Sequence, residues 1–280
     1  MSNLSGVRNT ISDGALGTVP ASSENEMVLF GVCSAGTANK LYTFTDKNSL
    51  VRQLGRGPLV QAAAYLLGTS PVKVVPVSCN VPGDAGSVTQ TGSGPTLTIE
   101  PSTPNDAYDF VVKITKAGNP GVGEFRYSLD GGDTYSIVIQ IPIGMSYPVP
   151  GTNMTLEFDA NNYHMNTTYE WKCTAPYYTL TNLAAAIDAY LATTGQASLF
   201  FVVGTPAGAE ETADLITAIQ IKLDAAQNTK RYIRAIVEAA NVDDEQLLAA
   251  TRNTDAKRVV CCAGTCELYS DIDSVYYTRS

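Results

Sequence analysis

One short apolar run, Leu199-Phe200-Phe201-Val202-Val203-Gly204, constrains the fold of this chain more than any other stretch. It is rich in β-branched and aromatic residues and ends at a glycine. Such a run is typical of a strand that is buried on both faces, as in a parallel sheet covered by helices. Helical patterns precede and follow it, so it predicts the central strand of an α/β layer.

Other apolar runs predict further strands of the same layer. They are Met27–Cys33, Val72–Val77, Tyr232–Val237 and Arg258–Cys262. Pro76 has no N–H to donate to a sheet ladder, so pairing of the second run is expected to end there.

Helices are predicted between these strands from capping residues and apolar stripes. Thr45 or Asp46 caps a short helix that Gly55 ends, and Pro58 opens the next helix. After the middle of the chain, the predicted helices are one capped by Thr181 or Asn182, one over Ala209–Gln227 and one over Asp243–Thr251. No element is predicted for Tyr269–Ser280.

Residues 80–176 differ in composition from the rest of the chain, because they lack helical periodicity and Gly and Pro punctuate them. They contain alternating runs typical of strands, namely 96–99, 108–114, 124–128, 135–141, 155–158 and 168–171. Asp130-Gly131-Gly132-Asp133 predicts a tight turn between two of these runs. The segment is therefore predicted to be an inserted all-β domain, either a sandwich or a barrel.

The predicted fold class is α/β: a helix-covered mixed sheet with the inserted β domain and an extended N-terminal arm. The arm spans residues 1–25, and the discontinuous α/β core spans residues 26–79 and 177–280. We expect the arm to contact other subunits through its scattered apolar residues, Leu4, Val7, Ile11, Leu16 and Val19.

No catalytic, cofactor-binding or metal-binding residue is predicted. The loop after Gly204 joins a strand to a helix, where α/β sheets often bind ligands, but Pro206 removes a donor there and Glu210 and Glu211 would repel an anion. Neither dinucleotide-binding nor P-loop glycine patterns occur in the sequence. His164 is the only histidine, and Asp130 with Asp133 supplies too few oxygen ligands for a calcium loop.

Charge and hydropathy argue against nucleic acid and membranes as partners. The formal net charge is −9, with 18 Lys and Arg against 27 Asp and Glu, and no basic patch for nucleic acid is visible. No apolar run is long enough to cross a membrane, and residues 1–20 lack the apolar core of a signal peptide. We therefore expect folding in a cytoplasm.

Three stretches carry a resemblance to a known family. They are V-L-F-G-V-C-S-A-G at 28–36, L-Y-T-F-T-D-K-N-S-L-V-R-Q-L-G-R-G-P-L-V-Q-A-A-A-Y-L-L at 41–67, and A-G-N-P-G-V-G-E-F-R-Y-S-L-D-G-G-D-T-Y-S at 117–136. The chain resembles the contractile tail sheath proteins of bacteriophages and related contractile injection systems. The resemblance covers about the first 80 residues and residues 180–265, and the β insertion is variable in that family.

The resemblance implies a non-enzymatic virion subunit that needs no cofactor. Sheath subunits assemble in the host cytoplasm as a helical homo-oligomer around a tail tube, between baseplate and tail terminator proteins, and terminal arms add strands to neighbouring sheets. Contraction drives the tube through the target envelope for genome ejection. Family members usually continue past this point to a C-terminal arm, so a chain ending at Ser280 is expected to be a fragment or a shorter relative.

The cysteines leave two interpretations open. Cys33, Cys79 and Cys173 lie near predicted strand ends or domain joints, where inter-subunit disulfides would form once lysis exposes the virion to oxidising surroundings. Alternatively, all six cysteines pack as small apolar residues.

Two other classes of function also stay open. One is an α/β ligand-binding enzyme with a β insertion that uses the loop after Gly204. The other is a secreted adhesin-like protein that binds through its β domain.

Overall fold

The structure is a computed structural model that describes residues 26–279. In chain order its elements are β1 (Met27–Gly31), β2 (Tyr42–Phe44), α1 (Lys47–Leu54), α2 (Pro58–Leu66), β3 (Val72–Pro76), β4 (Thr89–Thr91), β5 (Leu97–Ile99), β6 (Asp109–Lys116), β7 (Glu124–Ser128), β8 (Ile139–Gln140), β9 (Ser146–Val149), β10 (Met154–Phe158), β11 (Thr168–Lys172), α3 (Leu180–Leu191), β12 (Leu199–Val202), α4 (Ala209–Asn228), β13 (Arg234–Glu238), α5 (Asp244–Thr251), β14 (Val259–Cys262), β15 (Cys266–Ser270) and β16 (Val275–Arg279).

A six-stranded sheet organises the α/β part of the chain. Its strand order is β14-β13-β12-β1-β3-β2, and every neighbouring pair is parallel except β2 with β3. The mixed α/β class predicted from the sequence is therefore confirmed.

Strand β12 lies inside this sheet, between β1 and β13. On one face Phe200 packs with helices α3 and α4. The centroid of its ring lies 4.9 Å from that of Phe30 and 5.4 Å from that of Tyr190. On the other face Phe201 packs against the cluster formed with α1 and α2. The apolar run of the sequence is thus covered on both sides, as expected for a parallel sheet.

Local signals account for the helix ends. The Asp46 carboxylate accepts the Ser49 N–H at 2.8 Å, and Gly55 ends α1 with φ at 72°. Helix α3 begins two or three residues earlier than predicted, because the Thr179 hydroxyl accepts the Asn182 N–H and caps the helix in place of Thr181 or Asn182. Strand β3 ends at Pro76, where its pairing was expected to end, although the Val77 N–H still donates to the Gly31 carbonyl of β1 at 2.8 Å.

Strands β4 to β11 lie between β3 and α3 and form two antiparallel sheets. One has the order β5-β10-β9 and the other β4-β11-β6-β7-β8. They share one aromatic core, in which Phe110 stacks on Trp171 with ring centroids 4.4 Å apart. Of the run predicted over 135–141, only Ile139–Gln140 has strand geometry. We call residues 80–176 the β-rich segment.

The sequence patterns missed the hairpin of β15 and β16. Its strands pair from Cys266 with Arg279 to Ser270 with Val275. Polar contacts hold it against α2, including the Tyr65 hydroxyl, which donates to the Tyr269 carbonyl at 2.7 Å. The two strands are short and mixed in polarity, so periodicity alone did not reveal them.

Candidate functional site

The natural ligand site of this sheet lies where the strand order reverses. From β1 the chain crosses to β3 on one side and returns later as β12 on the other. Open α/β sheets bind ligands outside the carboxyl ends of two such strands. The crevice between the ends of β1 and β12 is therefore the first place to look for a site.

Backbone and side chains of the protein itself fill the floor of that crevice. A Cβ added at Gly31 would lie 3.1 Å from the Cβ of Val203 and 3.3 Å from that of Leu59. Contacts this short show that the two strand ends and α2 are already in van der Waals contact. Glycine at this position allows the close approach.

Two stacked tyrosines cover the exit of β12. Gly204 has φ at 130°, and a Cβ there would lie 3.0 Å from the Tyr177 ring and 3.3 Å from the Tyr178 ring. The two rings stack with centroids 4.3 Å apart. The loop that the sequence marked as a possible active-site edge is thus packed under aromatic rings.

The Gly204 N–H, which a bound anion would use, already donates to a carboxylate of the protein. Glu238, at the end of β13, accepts the Gly204 N–H at 3.1 Å and the Thr205 hydroxyl at 3.3 Å. Burial raises the pKa of Tyr177 to about 12 and that of Tyr178 well above its usual value. Both phenols therefore stay protonated at neutral pH, and the arrangement caps the loop rather than activating a nucleophile.

A second concave site lies between the α/β part, the β-rich segment and the hairpin. It is a cavity of about 400 Å³ lined by Arg56, by hydroxyl residues such as Ser128 and Thr134, and by Asp273 in the hairpin turn. Arg56 Nη1 lies 2.8 Å from Asp273 Oδ1. Because the cation has its counter-ion within the wall, the cavity gives an anionic ligand little additional attraction.

The same ion pair links three parts of the chain. A Cβ at Gly151, in the β-rich segment, would lie 3.6 Å from both Arg56 Nε and Asp273 Oδ1. Gln61 of α2 contacts Asp273 through its amide nitrogen and accepts the Ser270 hydroxyl at 2.8 Å. Lys47 forms an ion pair with Asp271. We call Arg56, Gln61, Ser270 and Asp273 the hairpin junction.

Sequence reasoning missed the hairpin junction, although a signal for the hairpin exists. Two runs containing β-branched or aromatic residues, 266–270 and 275–279, flank the turn-forming Asp271-Ile272-Asp273-Ser274. That pattern is typical of a hairpin with a four-residue loop. Nothing local, however, predicts that Asp273 meets Arg56.

The other residues considered from the sequence have structural surroundings. The Asp130 carboxylate accepts the Ser128 hydroxyl at 2.6 Å and the Thr134 N–H at 2.9 Å, which is turn chemistry. Burial raises the pKa of Asp130, but these hydrogen bonds and one from the Tyr276 backbone outweigh it, so the net pKa lies below its usual value. His164 is exposed in a loop of the β-rich segment. Within residues 26–279, no group of three or more His, Cys, Asp or Glu side chains could hold a metal ion.

The three cysteines proposed for disulfides differ in exposure. Cys79 is exposed, Cys33 is half-buried and Cys173 is buried. Burial raises the pKa of Cys33 to about 11 and that of Cys173 to about 12. Cys262 and Cys266 are also exposed, near the end of β14 and the start of β15. Pairing between subunits stays a prediction, and the arm residues Leu4, Val7, Ile11, Leu16 and Val19 lie outside the described residues.

The described part of the chain is thus a mixed α/β protein whose switch-point crevice is packed by its own side chains. The chain belongs to the family described as DUF2586, N-terminal domain, whose sequence model matches residues 4–279. No curated protein matches it. None of the helices within residues 26–279 is both long and apolar enough to cross a membrane.

Among solved structures, the chain is similar to the sheath tail protein Lin1278 from Listeria innocua, with a TM-score of 0.37 and 9% sequence identity. The match covers 92% of this chain and 54% of that chain. This chain therefore spans about half the length of that protein.

Proposed function

We propose that the chain is a structural, non-enzymatic subunit of a contractile tail, acting as the sheath proteins it resembles in sequence do. In this role it polymerises with copies of itself around a tail tube, between baseplate and tail terminator proteins. Contraction of the polymer drives the tube through a target envelope. The subunits assemble in the host cytoplasm and function in the virion tail.

The packed switch-point crevice is the observation that carries this proposal. In a ligand-binding α/β protein that crevice is kept open, whereas here Gly31, Val203 and the Tyr177–Tyr178 pair close it. Side chains that fill a binding crevice contribute rigidity, which a subunit transmitting mechanical force requires.

Open sheet edges give further support. Strand β14 is the last strand of the six-stranded sheet, and no other strand within residues 26–279 pairs with its outer side. Its Val260 is 55% exposed. An edge of this kind accepts an added strand from another chain. We propose that residues 1–25 form an arm that supplies such a strand to a neighbouring subunit.

The proposal also assigns the domains. Residues 26–79 and 177–280 form the α/β core, and residues 80–176 form an all-β domain inserted into it. The separate aromatic core of β4 to β11 supports this division. Cys33, Cys79 and Cys173 are the proposed positions of inter-subunit disulfides after lysis, and exposed Cys79 is the most accessible of them. Non-reducing gels of assembled particles that show monomers alone would rule the disulfides out.

Electron microscopy of the purified chain tests the central proposal. We expect rings, tubes or fibres resembling empty sheath, at concentrations where the chain remains folded by circular dichroism. A monodisperse monomer at every concentration would refute self-assembly. A thermal-shift screen with nucleotides and phosphate tests the enzyme alternative, and a clear rise in melting temperature with any of them would favour it.

A further inference from the structure

The outer edge of the five-stranded sheet in the β-rich segment has an unusual composition. Strand β8 is its last strand and pairs with β7 through Phe125–Ile139 and Glu124–Gln140. The chain follows β7 for longer than this, since the Ser136 N–H donates to the Tyr127 carbonyl and the Ile141 N–H to the Gly123 carbonyl, each at 2.8 Å. No other strand of residues 26–279 pairs with the far side of β8. Residues 136–143 therefore form an open edge.

This open edge carries a row of isoleucines that the chain covers only in the middle. Ile137, Ile139, Ile141 and Ile143 alternate along it. Ile141 is fully buried and Ile139 packs against the aromatic core, but Ile137 is 82% exposed and Ile143 is 84% exposed. Both ends of the apolar row thus extend beyond the core that covers its centre.

A neighbouring loop enlarges the apolar surface. A Cβ at Gly121 would lie 2.9 Å from Ile143 Cγ1, so the loop containing exposed Val122 sits beside Ile143. The exposed area is on the order of a few hundred Å², which is below the ~800 Å² per partner of a standard interface. A surface of this size suits one contact among several in a larger assembly.

The open edge lacks the charged side chains that protect many sheet edges, although its regular strand is only two residues long and Pro142 follows it. Natural sheets place charged residues, most often Lys, on exposed edges to prevent association. Between Asp133 and Glu157 this sequence has no charged residue. Charged side chains begin one strand further in, on β7, with Arg126 and with Glu124, which pairs with Lys116 at 3.1 Å.

We infer that the open edge, residues 136–143 together with Val122, is a contact surface for a neighbouring copy of this chain. The inference rests on the proposed function, which places copies side by side. Each copy has a net charge of −9, so two copies repel over much of their surfaces and approach most easily where the surface is uncharged. A strongly charged partner would gain nothing from this edge.

The test is the double variant Ile137→Glu/Ile143→Glu of the whole chain. Both side chains are exposed, so we expect a melting temperature within about 2 °C of wild type. Buried at an interface, the new carboxylates would be desolvated and repelled, and the concentration at which rings or tubes appear should rise at least ~10-fold. Sedimentation and electron microscopy measure that concentration, and the single variants guard against a double variant that fails to fold.

Two controls separate the edge from general effects. Ile221→Glu/Leu248→Glu adds the same charge at exposed apolar positions on α4 and α5 and should assemble near the wild-type concentration. Ile137→Val/Ile143→Val keeps the edge apolar and should also assemble normally. If the edge variant assembles like wild type, or if the charge control is impaired equally, the inference is wrong.

The failure of this inference can be told from failure of the proposed function. Wild-type assemblies that the edge substitutions leave intact would overturn the contact surface alone. Wild-type chains that only dimerise, and whose dimers the edge substitutions weaken, would overturn the sheath role and retain the surface. Wild-type monomers at all concentrations in sedimentation equilibrium would overturn both.

Discussion

The six-stranded sheet and the β-rich segment differ in how completely they bury their apolar side chains. In the sheet, helices cover both faces, and the crevice at the reversal of strand order is packed by Gly31, Val203 and two tyrosines. In the β-rich segment, two sheets share an aromatic core but leave an uncharged edge with Ile137 and Ile143 exposed. The first region fills its crevice with its own residues, while the second leaves two isoleucines of its edge strand exposed.

Each of the two regions also has its own spectroscopic signal. Trp171 is the single tryptophan and lies in the core of the β-rich segment. The five helices within residues 26–279 lie in the α/β part. Tryptophan fluorescence therefore reports on one region, and helical circular dichroism reports on the other.

The largest effect is expected from Phe200→Ala. The ring is fully buried against Phe30 and Tyr190, so its loss should lower the free energy of unfolding by about 3–5 kcal/mol. In urea titrations, the circular dichroism midpoint should fall further than the Trp171 fluorescence midpoint. The control Leu248→Ala, at an exposed helix position, should change stability by less than about 0.5 kcal/mol. Equal shifts of both probes would mean that the two regions unfold as one unit.

Asp273→Ala tests whether the hairpin junction couples the two regions. It removes the part-buried ion pair with Arg56 and the hydrogen bond from Gln61 to the carboxylate, and should cost about 2 kcal/mol because the lost partner is a charged group. The two unfolding midpoints should also move apart. Asp271→Ala, which removes the more exposed pair with Lys47, should cost less than about 1 kcal/mol. Equal losses of stability in the two variants would show that the hairpin junction contributes no more than an exposed ion pair.

Gly204→Ala probes the closed crevice directly. Its φ of 130° is strained for alanine, and the new Cβ would press on the Tyr177 ring at 3.0 Å. We expect a loss of about 1–3 kcal/mol in circular dichroism titrations. Gly144→Ala is the matched control in the β-rich segment, where a Cβ meets nothing within 4 Å. A harmless Gly204→Ala would show that the crevice is looser than its geometry indicates.

The smallest effect concerns acid stability of the β-rich segment. The folded pKa of Asp130 lies below its unfolded value of about 3.9. The carboxylate therefore adds stability above that pH, and this stability is lost as the pH falls through the lower folded pKa. Asp130→Asn should flatten this part of the acid dependence seen by Trp171 fluorescence. Parallel acid profiles for wild type and Asp130→Asn would contradict the assignment.

The sequence predicted the elements whose signals are local. Asp46, Gly55 and Pro58 bound α1 and α2 as expected, because capping depends on residues within one turn. The sequence also marked the loop after Gly204 as a possible ligand-binding edge. It did not predict that Gly31, Val203 and Tyr177 pack there, because those contacts join residues far apart in the sequence.

The same limit explains the hairpin junction and the open edge. Arg56 and Asp273 meet only after the sheet, the β-rich segment and the hairpin are in place. The run over 135–141 predicted a full strand, but its pairing with β7 is regular only at Ile139 and Gln140, because the Ser136 hydroxyl accepts the Tyr127 N–H at 3.1 Å in place of a backbone carbonyl. Alternation of isoleucines reveals a strand face, yet it does not reveal which of them the fold leaves uncovered.

The strand order also determines when each strand of the six-stranded sheet gains its neighbours during synthesis. Strand β1 pairs with β3 on one side, but its partner on the other side, β12, comes only after the whole β-rich segment and α3. At ribosomal rates of roughly 5–20 residues per second, that interval lasts on the order of ten seconds. The nascent chain therefore holds Val28 and Phe30 without their final neighbours, at the stage when chaperones bind exposed apolar strands. The β-rich segment, whose partners lie within it, can fold during this wait.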